Sequence, residues 1–123
     1  MGQFKMKRVY EAADGSDGDR VLVDRLWPRG MTKERVGADV WLKEIGPTSD
    51  LIRWFGHRPE RYEEFRKRYI AELKSEALQP FVDRLLERVQ SRDVTLLYSA
   101  KDEQHNQAAV LMEYLKERQG GFP

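Results

Sequence analysis

The sequence of 123 residues contains no cysteine, and this absence removes several kinds of chemistry. Without thiols the chain has no disulfide, no thiolate nucleophile and no cysteine-bound zinc or iron–sulfur site. Histidine is scarce too, since His57 and His105 are the only two. Neither belongs to a His-x-x-x-His pattern or an acidic cluster, so we expect no metal site. Gly15 and Gly18 complete no Walker or dinucleotide motif, and we expect no bound cofactor.

Long apolar runs and an excess of one charge are also missing. Lys and Arg together number 22 and Asp and Glu 21, which gives a net charge of +1. Such a molecule exerts no strong long-range attraction on nucleic acid or membranes. No stretch approaches the roughly 20 apolar residues of a transmembrane helix, and residues 1–8 have no apolar signal-peptide region. We therefore expect a cytoplasmic protein without membrane contact, and the sequence leaves the oligomeric state open.

The composition that remains is typical of a folded protein. Hydrophobic residues make up 40% of the chain and charged residues 35%, with three Trp, five Tyr and five Phe. Disordered chains are usually poor in large apolar side chains. A chain of 123 residues has room for one hydrophobic core, so we predict a single domain over residues 1–123.

Apolar patterns predict alternating strands and helices. Continuous or alternating apolar runs predict strands at Phe4–Tyr10, Val21–Asp24 and Val94–Tyr98. Apolar residues at helical spacing, with capping residues, predict the helices. They are a short helix from Asp39 to Ile45, another from Thr48 to Phe55 ended by Gly56, and longer ones from Pro59 to Leu73, Gln79 to Gln90 and Glu103 to Arg118, the last closed by Gly120 and Gly121.

Strands separated by helices need crossover connections. The predicted fold class is therefore α/β: a small, mostly parallel sheet with helices packed on its faces, three-layer and Rossmann-like or flavodoxin-like. In open parallel sheets, ligands bind outside the carboxyl ends of the strands. The loops after Val21–Asp24 and Val94–Tyr98 are consequently the first places to look for a site.

The first of these loops is Asp24-Arg25-Leu26-Trp27-Pro28-Arg29-Gly30. Arg25 and Arg29 are suited to hold a phosphate or carboxylate through paired hydrogen bonds, and Trp27 to stack on a ring. Asp24 is a candidate catalytic residue that moves a proton. In a structural alternative, Asp24 pairs with Arg25 or Arg29 and Trp27 fills a gap in the core.

The loop after the last predicted strand is the second candidate. A helix that begins within it would direct free backbone N–H groups at an anion. Lys101 adds positive charge, Ser99 and Asn106 add polar groups, and His105 is a candidate general acid or base near neutral pH. In the structural alternative, Asp102 simply caps the helix and His105 is solvated on its first turn.

A third cluster is Arg53-Trp54-Phe55-Gly56-His57-Arg58-Pro59, between two predicted helices. Cations next to aromatic rings are typical of a nucleotide or single-strand site. Trp54 and Phe55 are adjacent, however, so at least one of them is expected in the core. His57 is kept as a candidate ligand-binding residue.

The same segments resemble the YeaO-like branch of a broad bacterial family of unknown function. The resemblance covers nearly the whole chain, although Gly46-Pro47-Thr48 stands where the family usually has Ala-Pro-Ser. It implies an α/β fold and a recognisable pattern around both strand ends, but it brings no established activity and no catalytic residue. The residues that carry it are Lys7-Arg8-Val9-Tyr10, Asp17-Gly18, Arg20-Val21-Leu22-Val23-Asp24-Arg25-Leu26-Trp27-Pro28-Arg29-Gly30, Trp41-Leu42-Lys43-Glu44, Trp54-Phe55 with His57, and Thr95-Leu96-Leu97-Tyr98-Ser99-Ala100-Lys101-Asp102 with His105-Asn106.

Three hypotheses of function follow, and whether the protein is an enzyme is left open by all of them. In the first, the two loops form a polar pocket for a small anionic or phosphorylated ligand such as a nucleotide. The second is a protein-interaction domain whose tryptophans belong to the core. The third is a non-catalytic nucleic-acid-binding module, against which the near-neutral charge counts. It would use Arg25, Trp27, Arg29, Lys33, Arg35, Arg53 and Arg58.

Overall fold

The computed structural model describes residues 2–120, which form a four-stranded, entirely parallel sheet with its helices. The spatial order of the strands is β1-β4-β2-β3. β4 pairs with both β1 and β2, and all five of its residues are buried. The strands are β1 Phe4–Arg8, β2 Asp19–Leu22, β3 Val40–Trp41 and β4 Val94–Tyr98.

Helices occupy the connections between the strands, so the predicted α/β class and parallel sheet are confirmed. The strand order differs from the 2-1-3-4-5 order of flavodoxin-like sheets and the 3-2-1-4-5-6 order of Rossmann sheets, so the likeness to them is one of class. No helix within residues 2–120 is long and apolar enough to cross a membrane. The helices are α1 Lys33–Val36, α2 Ser49–Phe55, α3 Tyr62–Leu73, α4 Gln79–Ser91 and α5 Gln107–Gly120, with short 3-10 helices at Gly15–Asp17, Lys43–Ile45 and Pro59–Arg61.

Side chains of the central strands alternate between the two faces of the sheet. On one face, Val21 and Leu96 pack in the main core with apolar residues of α2, α3, α4 and α5. On the other face, Leu22 and Leu97 meet Val36 of α1 in a smaller cluster. Both faces are therefore covered by helix, and most of the apolar burial lies on one of them.

The segment after Asp39 is a strand, and the prediction of a helix there was wrong. The Asp39 carboxylate accepts a hydrogen bond from the backbone N–H of Arg20 at 2.8 Å. This bond holds the following residues, Val40 and Trp41, in register beside β2. Tertiary pairing thus overrides the local apolar spacing on which the helix was predicted.

Helix α5 begins later than predicted, at Gln107 instead of Glu103. The Asp102 carboxylate accepts hydrogen bonds from the backbone N–H groups of Gln104 and His105, both at 2.9 Å. A short acidic side chain that bonds the backbone in this way closes a turn and competes with helix formation. Gly121, which was expected to help end this helix, lies outside the described residues.

The chain leaves β2 and β4 in opposite directions, although the two strands are neighbours. After β2 it continues outward to β3, whereas after β4 it enters α5, which packs over β4 and β1. Between two such strands a crevice opens outside their carboxyl ends, and this is where parallel sheets bind ligands. The loops that follow β2 and β4 border this crevice.

Candidate functional site

The carboxyl ends of β2 and β4 are joined through the side chain of Asp24. Ser99 donates to the Oδ2 atom of Asp24 from its backbone N–H at 2.9 Å and from its hydroxyl at 2.6 Å. Gln107, in the first turn of α5, donates to Oδ1 from its amide nitrogen. The carboxylate is bonded to these groups and not to Arg25 or Arg29, the partners considered in the structural alternative.

Only 6% of the surface of Asp24 is exposed, and this burial is the strongest influence on the pKa of its carboxyl group. It raises the pKa of Asp24 above its ordinary value. The hydrogen bonds from Ser99 and Gln107, and a charge on His57, act in the opposite direction without cancelling the effect of burial. Asp24 therefore holds its proton to a higher pH than an exposed aspartate does.

A cavity of about 500 Å³ opens beside this carboxylate, and we name it the strand-end cavity. Its volume lies within the roughly 300–1,000 Å³ that is usual for small-molecule sites. Leu26, Pro28, Pro47 and Ile52 supply part of an apolar wall. Its polar and aromatic lining comes from Asp24, Arg25, Trp27, Arg29, His57, Ser99 and Gln107.

Arg25 and Arg29 of the strand-end cavity differ in how many of their N–H groups already bond to other protein groups. Arg25 donates from Nε to the carbonyl oxygen of Pro47 at 2.8 Å and from Nη2 to that of Gly46 at 3.0 Å. These bonds fix it against the segment that precedes α2. Arg29 is exposed, and its guanidinium has no hydrogen-bond or ion-pair partner among residues 2–120. Arg29 is thus the arginine whose donors are available to an anion.

Trp27 is held at the wall of the cavity by its own indole. The indole N–H donates to the carbonyl oxygen of Met31 at 2.7 Å, and 38% of the residue surface is exposed. The ring meets that of Trp41 edge to face, with centroids 5.3 Å apart. An exposed and oriented ring of this kind is a surface on which a ligand can pack, and it is not a plug in the core.

His57 and Ser99 also line a second cavity of about 510 Å³, which we name the side cavity, together with Ala100, Lys101 and Asp102. The backbone of His57 has a φ of 57°, a left-handed conformation that residues other than glycine rarely adopt. Such strain concentrates at functional sites because the surrounding fold must enforce it. The exposed Lys101 contributes its charge to the side cavity and not to the strand-end cavity.

His105 and Asn106 line neither cavity. The Nδ1 atom of His105 lies 2.9 Å from Oδ2 of Asp102, and its ring meets Tyr62 edge to face at 5.0 Å between centroids. Asn106 is fully buried and caps α5, because its Oδ1 accepts from the backbone N–H of Ala109 at 2.9 Å. Its amide nitrogen donates to the Asp102 carbonyl at 2.8 Å. We therefore leave both residues outside the candidate site.

The sequence did not point to two residues that build the site. Gln107 was missed because a helix starting at Glu103 would have placed it a full turn farther along the helix. Arg8 donates from Nε to the carbonyl oxygen of Ala100 at 2.9 Å and from Nη2 to that of Ser99 at 3.1 Å, which fixes the loop after β4. The available signals for Arg8 were its place in the first predicted strand and in Lys7-Arg8-Val9-Tyr10, one of the segments that carry the family resemblance.

The aromatic residues of the third cluster are mainly structural. Phe55 is buried and stacks on Phe65 at 4.3 Å between centroids. Trp54 packs against the guanidinium groups of Arg61 and Arg68, which lie 5.2 and 4.4 Å from its ring. Within residues 2–120, no group of three His, Asp or Glu side chains is arranged to hold a metal ion.

Comparison with known proteins places this chain among relatives of similar length. It is 44% identical over 113 residues to the uncharacterized protein YeaO of Escherichia coli K12, an alignment that covers 92% of this chain and 96% of the relative. It is 38% identical over 116 residues to the uncharacterized proteins Mb3100c of Mycobacterium bovis and Rv3073c of Mycobacterium tuberculosis H37Rv, covering 94% of this chain and 96% of each relative. No solved structure matches the chain. A family model described as the inactive DUF488-N3 subclade matches residues 3–120, and the chain belongs to this family.

Proposed function

We propose that this protein binds a small anionic or phosphorylated ligand, such as a nucleotide, in the strand-end cavity. The observation that carries the proposal is the unpaired guanidinium of Arg29 at the wall of that cavity, where the chain leaves β2 and β4 in opposite directions. Arginine presents several N–H donors in a fixed plane and holds phosphate or carboxylate through paired bonds. Arg25 adds positive charge to the same wall.

Binding without turnover fits the site better than catalysis. The family description calls the subclade inactive. The Ser99 hydroxyl lies in no Gly-x-Ser-x-Gly elbow, and the Asp24 carboxylate to which it donates also accepts from the Ser99 backbone N–H and from Gln107. His105, the other candidate for proton transfer, is bonded to Asp102 away from the strand-end cavity. The proposal therefore assigns Asp24 the role of anchoring the two loops beside the ligand.

A thermal-shift titration with inorganic phosphate and a panel of phosphorylated metabolites tests the proposal. Ligands that stabilise the wild-type protein should bind Arg29→Ala about tenfold more weakly or worse, because a hydrogen bond to a charged group contributes about 1.5–3 kcal/mol. Arg84→Ala is the matched control, since Arg84 is an exposed arginine of α4 that does not line the cavity. Equal stabilisation of all three proteins would remove Arg29 from the site. Absence of any stabilising anion would overturn the proposal.

The nucleic-acid hypothesis has less support from the charges. Arg53 pairs with Asp50, and Arg58 lies 3.7 Å from Glu60, so part of the proposed basic surface is neutralised locally. Binding of short DNA or RNA, measured by fluorescence anisotropy, should then be undetectable even at about 50 mM salt. Tight binding that weakens steeply with salt would favour this hypothesis over a small-ligand site.

A further inference from the structure

A third depression adjoins the strand-end cavity at Trp27. It measures about 510 Å³, and we name it the tryptophan groove. Trp27, Lys33, Ala38, Asp39, Val40 and Trp41 line it. Trp27 also lines the strand-end cavity, so the two depressions share one wall. A ligand that reaches both depressions therefore has to pass along Trp27.

The two indoles of the tryptophan groove are fixed before any ligand arrives. The N–H of Trp27 donates to the Met31 carbonyl, and the N–H of Trp41 donates to the Asp24 carbonyl, each at 2.7 Å. The rings also brace each other edge to face. Because both polar N–H groups are used internally, the remaining exposed surface of each ring is apolar. Each residue keeps 38% of its surface exposed.

Rigid exposed rings provide packing surface without the entropy cost of ordering a flexible side chain. Lys33 lines the tryptophan groove, and the Lys43 ammonium lies 5.5 Å from the Trp41 ring, so cations border the aromatic pair. Aromatic rings combined with cations are the combination that holds nucleobases. The Trp41 indole also donates to the backbone carbonyl of Asp24, so a hydrogen bond links the groove to the strand-end cavity.

We infer that the ligand is an aromatic anion of the nucleoside monophosphate class. Its anionic group lies at Arg29 in the strand-end cavity, and its ring packs against Trp27 and Trp41 in the tryptophan groove. This inference rests on the proposed function and adds to it the chemical class of the ligand and the position of the ring.

Indole resonances in a nitrogen–proton NMR spectrum test the inference on the wild-type protein. The chain has three tryptophans, and Trp54 serves as an internal control because it is packed between Arg61 and Arg68 and lines neither depression. Titration with each of the four ribonucleoside 5′-monophosphates should shift the indole signals of Trp27 and Trp41 for at least one of them. The Trp54 signal should stay in place, and inorganic phosphate should leave all three indoles unshifted.

Affinities of variants give a second readout. Trp27→Leu should weaken binding of the shifting nucleotide about tenfold, the loss expected for one stacking surface, and should weaken phosphate binding less than that. Trp27→Phe, which keeps a ring, should retain most of the nucleotide affinity, and Trp54→Phe should retain all of it. The corresponding nucleoside, without its phosphate, should bind at least about tenfold more weakly than the nucleotide.

The outcomes separate the inference from the function on which it rests. Phosphate binding that depends on Arg29, combined with nucleotides that bind no more tightly than phosphate, would overturn the inference and leave the proposed function intact. A nucleoside that binds as tightly as its nucleotide would also overturn it, because the anion would then contribute nothing. If neither phosphate nor any nucleotide binds, the inference fails, and the proposed function fails with it when no other anion of the panel stabilises the protein.

Discussion

Burial raises the pKa of the Asp24 carboxyl group and hydrogen bonding lowers it, and the effect of burial is the stronger. The sequence predicted a strand ending at Asp24, whereas β2 ends two residues earlier at Leu22, and it placed Ser99 correctly just after β4. It could not show that they touch, because the contact joins residues 75 apart and depends on how β2 and β4 align. Individual candidate residues near strand ends can thus be predicted from the sequence. Their hydrogen-bond partners on other strands follow only from the register of the sheet.

The raised pKa of Asp24 gives its contribution to stability a definite sign. The unfolded chain releases the proton near the ordinary value of 3.8, while the folded protein keeps it to higher pH. Asp24 therefore favours the folded state at low pH, and this contribution is lost as the pH rises through the folded pKa. Asp24→Asn does not titrate, so the free energy of unfolding of wild type minus that of the variant should fall as pH rises.

Urea unfolding of both proteins from about pH 3 to about pH 7 measures this difference. Comparison with a variant at the same position removes the titration of all other acids, several of which have lowered pKa values. If the free energy of unfolding of wild type minus that of the variant stays constant or increases with pH, burial does not raise the pKa of Asp24.

Asp17 and Arg20 form a buried ion pair at the amino end of β2. Each is 5% exposed, and Oδ2 of Asp17 lies 2.5 Å from Nη1 of Arg20. Burial alone acts to raise the pKa of Asp17, but the hydrogen bonds from the Asp14 backbone, Lys7 and Arg20 together hold it below its usual range. This pair lies at the amino ends of the strands, opposite the candidate site at their carboxyl ends, so its role is structural.

Asp17→Asn should lower the free energy of unfolding by about 3–5 kcal/mol, because it leaves the Arg20 charge buried without its partner. The stabilisation by Asp17 is present above its ordinary pKa of 3.8 and is lost as pH falls through the folded pKa. Asp50→Asn is the matched control, since the Asp50–Arg53 pair is exposed and should contribute less than about 1 kcal/mol. Urea unfolding measures both variants. Similar losses of unfolding free energy would contradict the larger contribution assigned to the buried pair.

At the scale of elements, the sequence predicted long amphipathic helices better than short segments. α4 runs from Gln79 to Ser91, against a prediction of Gln79 to Gln90, and α2 ends at Phe55 as predicted. Two of the errors fall where a side chain bonds the backbone, at Asp39 before β3 and at Asp102 before α5. Local apolar spacing does not report such bonds, and they decide which segment is helical.

Asn106→Ala should lower the free energy of unfolding by about 1–2 kcal/mol, because it removes the cap of α5 from a fully buried position. Chemical denaturation measures the loss. Gln104→Ala is the control, since Gln104 is exposed in the preceding turn and should change stability by no more than about 0.5 kcal/mol. Equal effects of the two substitutions would show that α5 is capped by another residue.

At the scale of the whole molecule, the sequence predicted the α/β class but not the order of the strands. Alternating strands and helices require a parallel sheet, whereas the order β1-β4-β2-β3 arises from pairings between distant segments. That order brings the ends of β2 and β4 together and sends the chain away from them in opposite directions. The candidate site is therefore a property of the topology, and Asp24, Arg29 and Ser99 were foreseen because they lie in the loops after the two central strands.

The central claim is that the crevice between the ends of β2 and β4 is the binding site of the protein. A crystal structure of the protein grown with the phosphorylated compound that stabilises it best tests this most directly. We expect density for the anion within hydrogen-bond distance of the Arg29 guanidinium, beside the Asp24–Ser99 contact. A well-defined anion bound elsewhere, with none in the strand-end cavity, would contradict it.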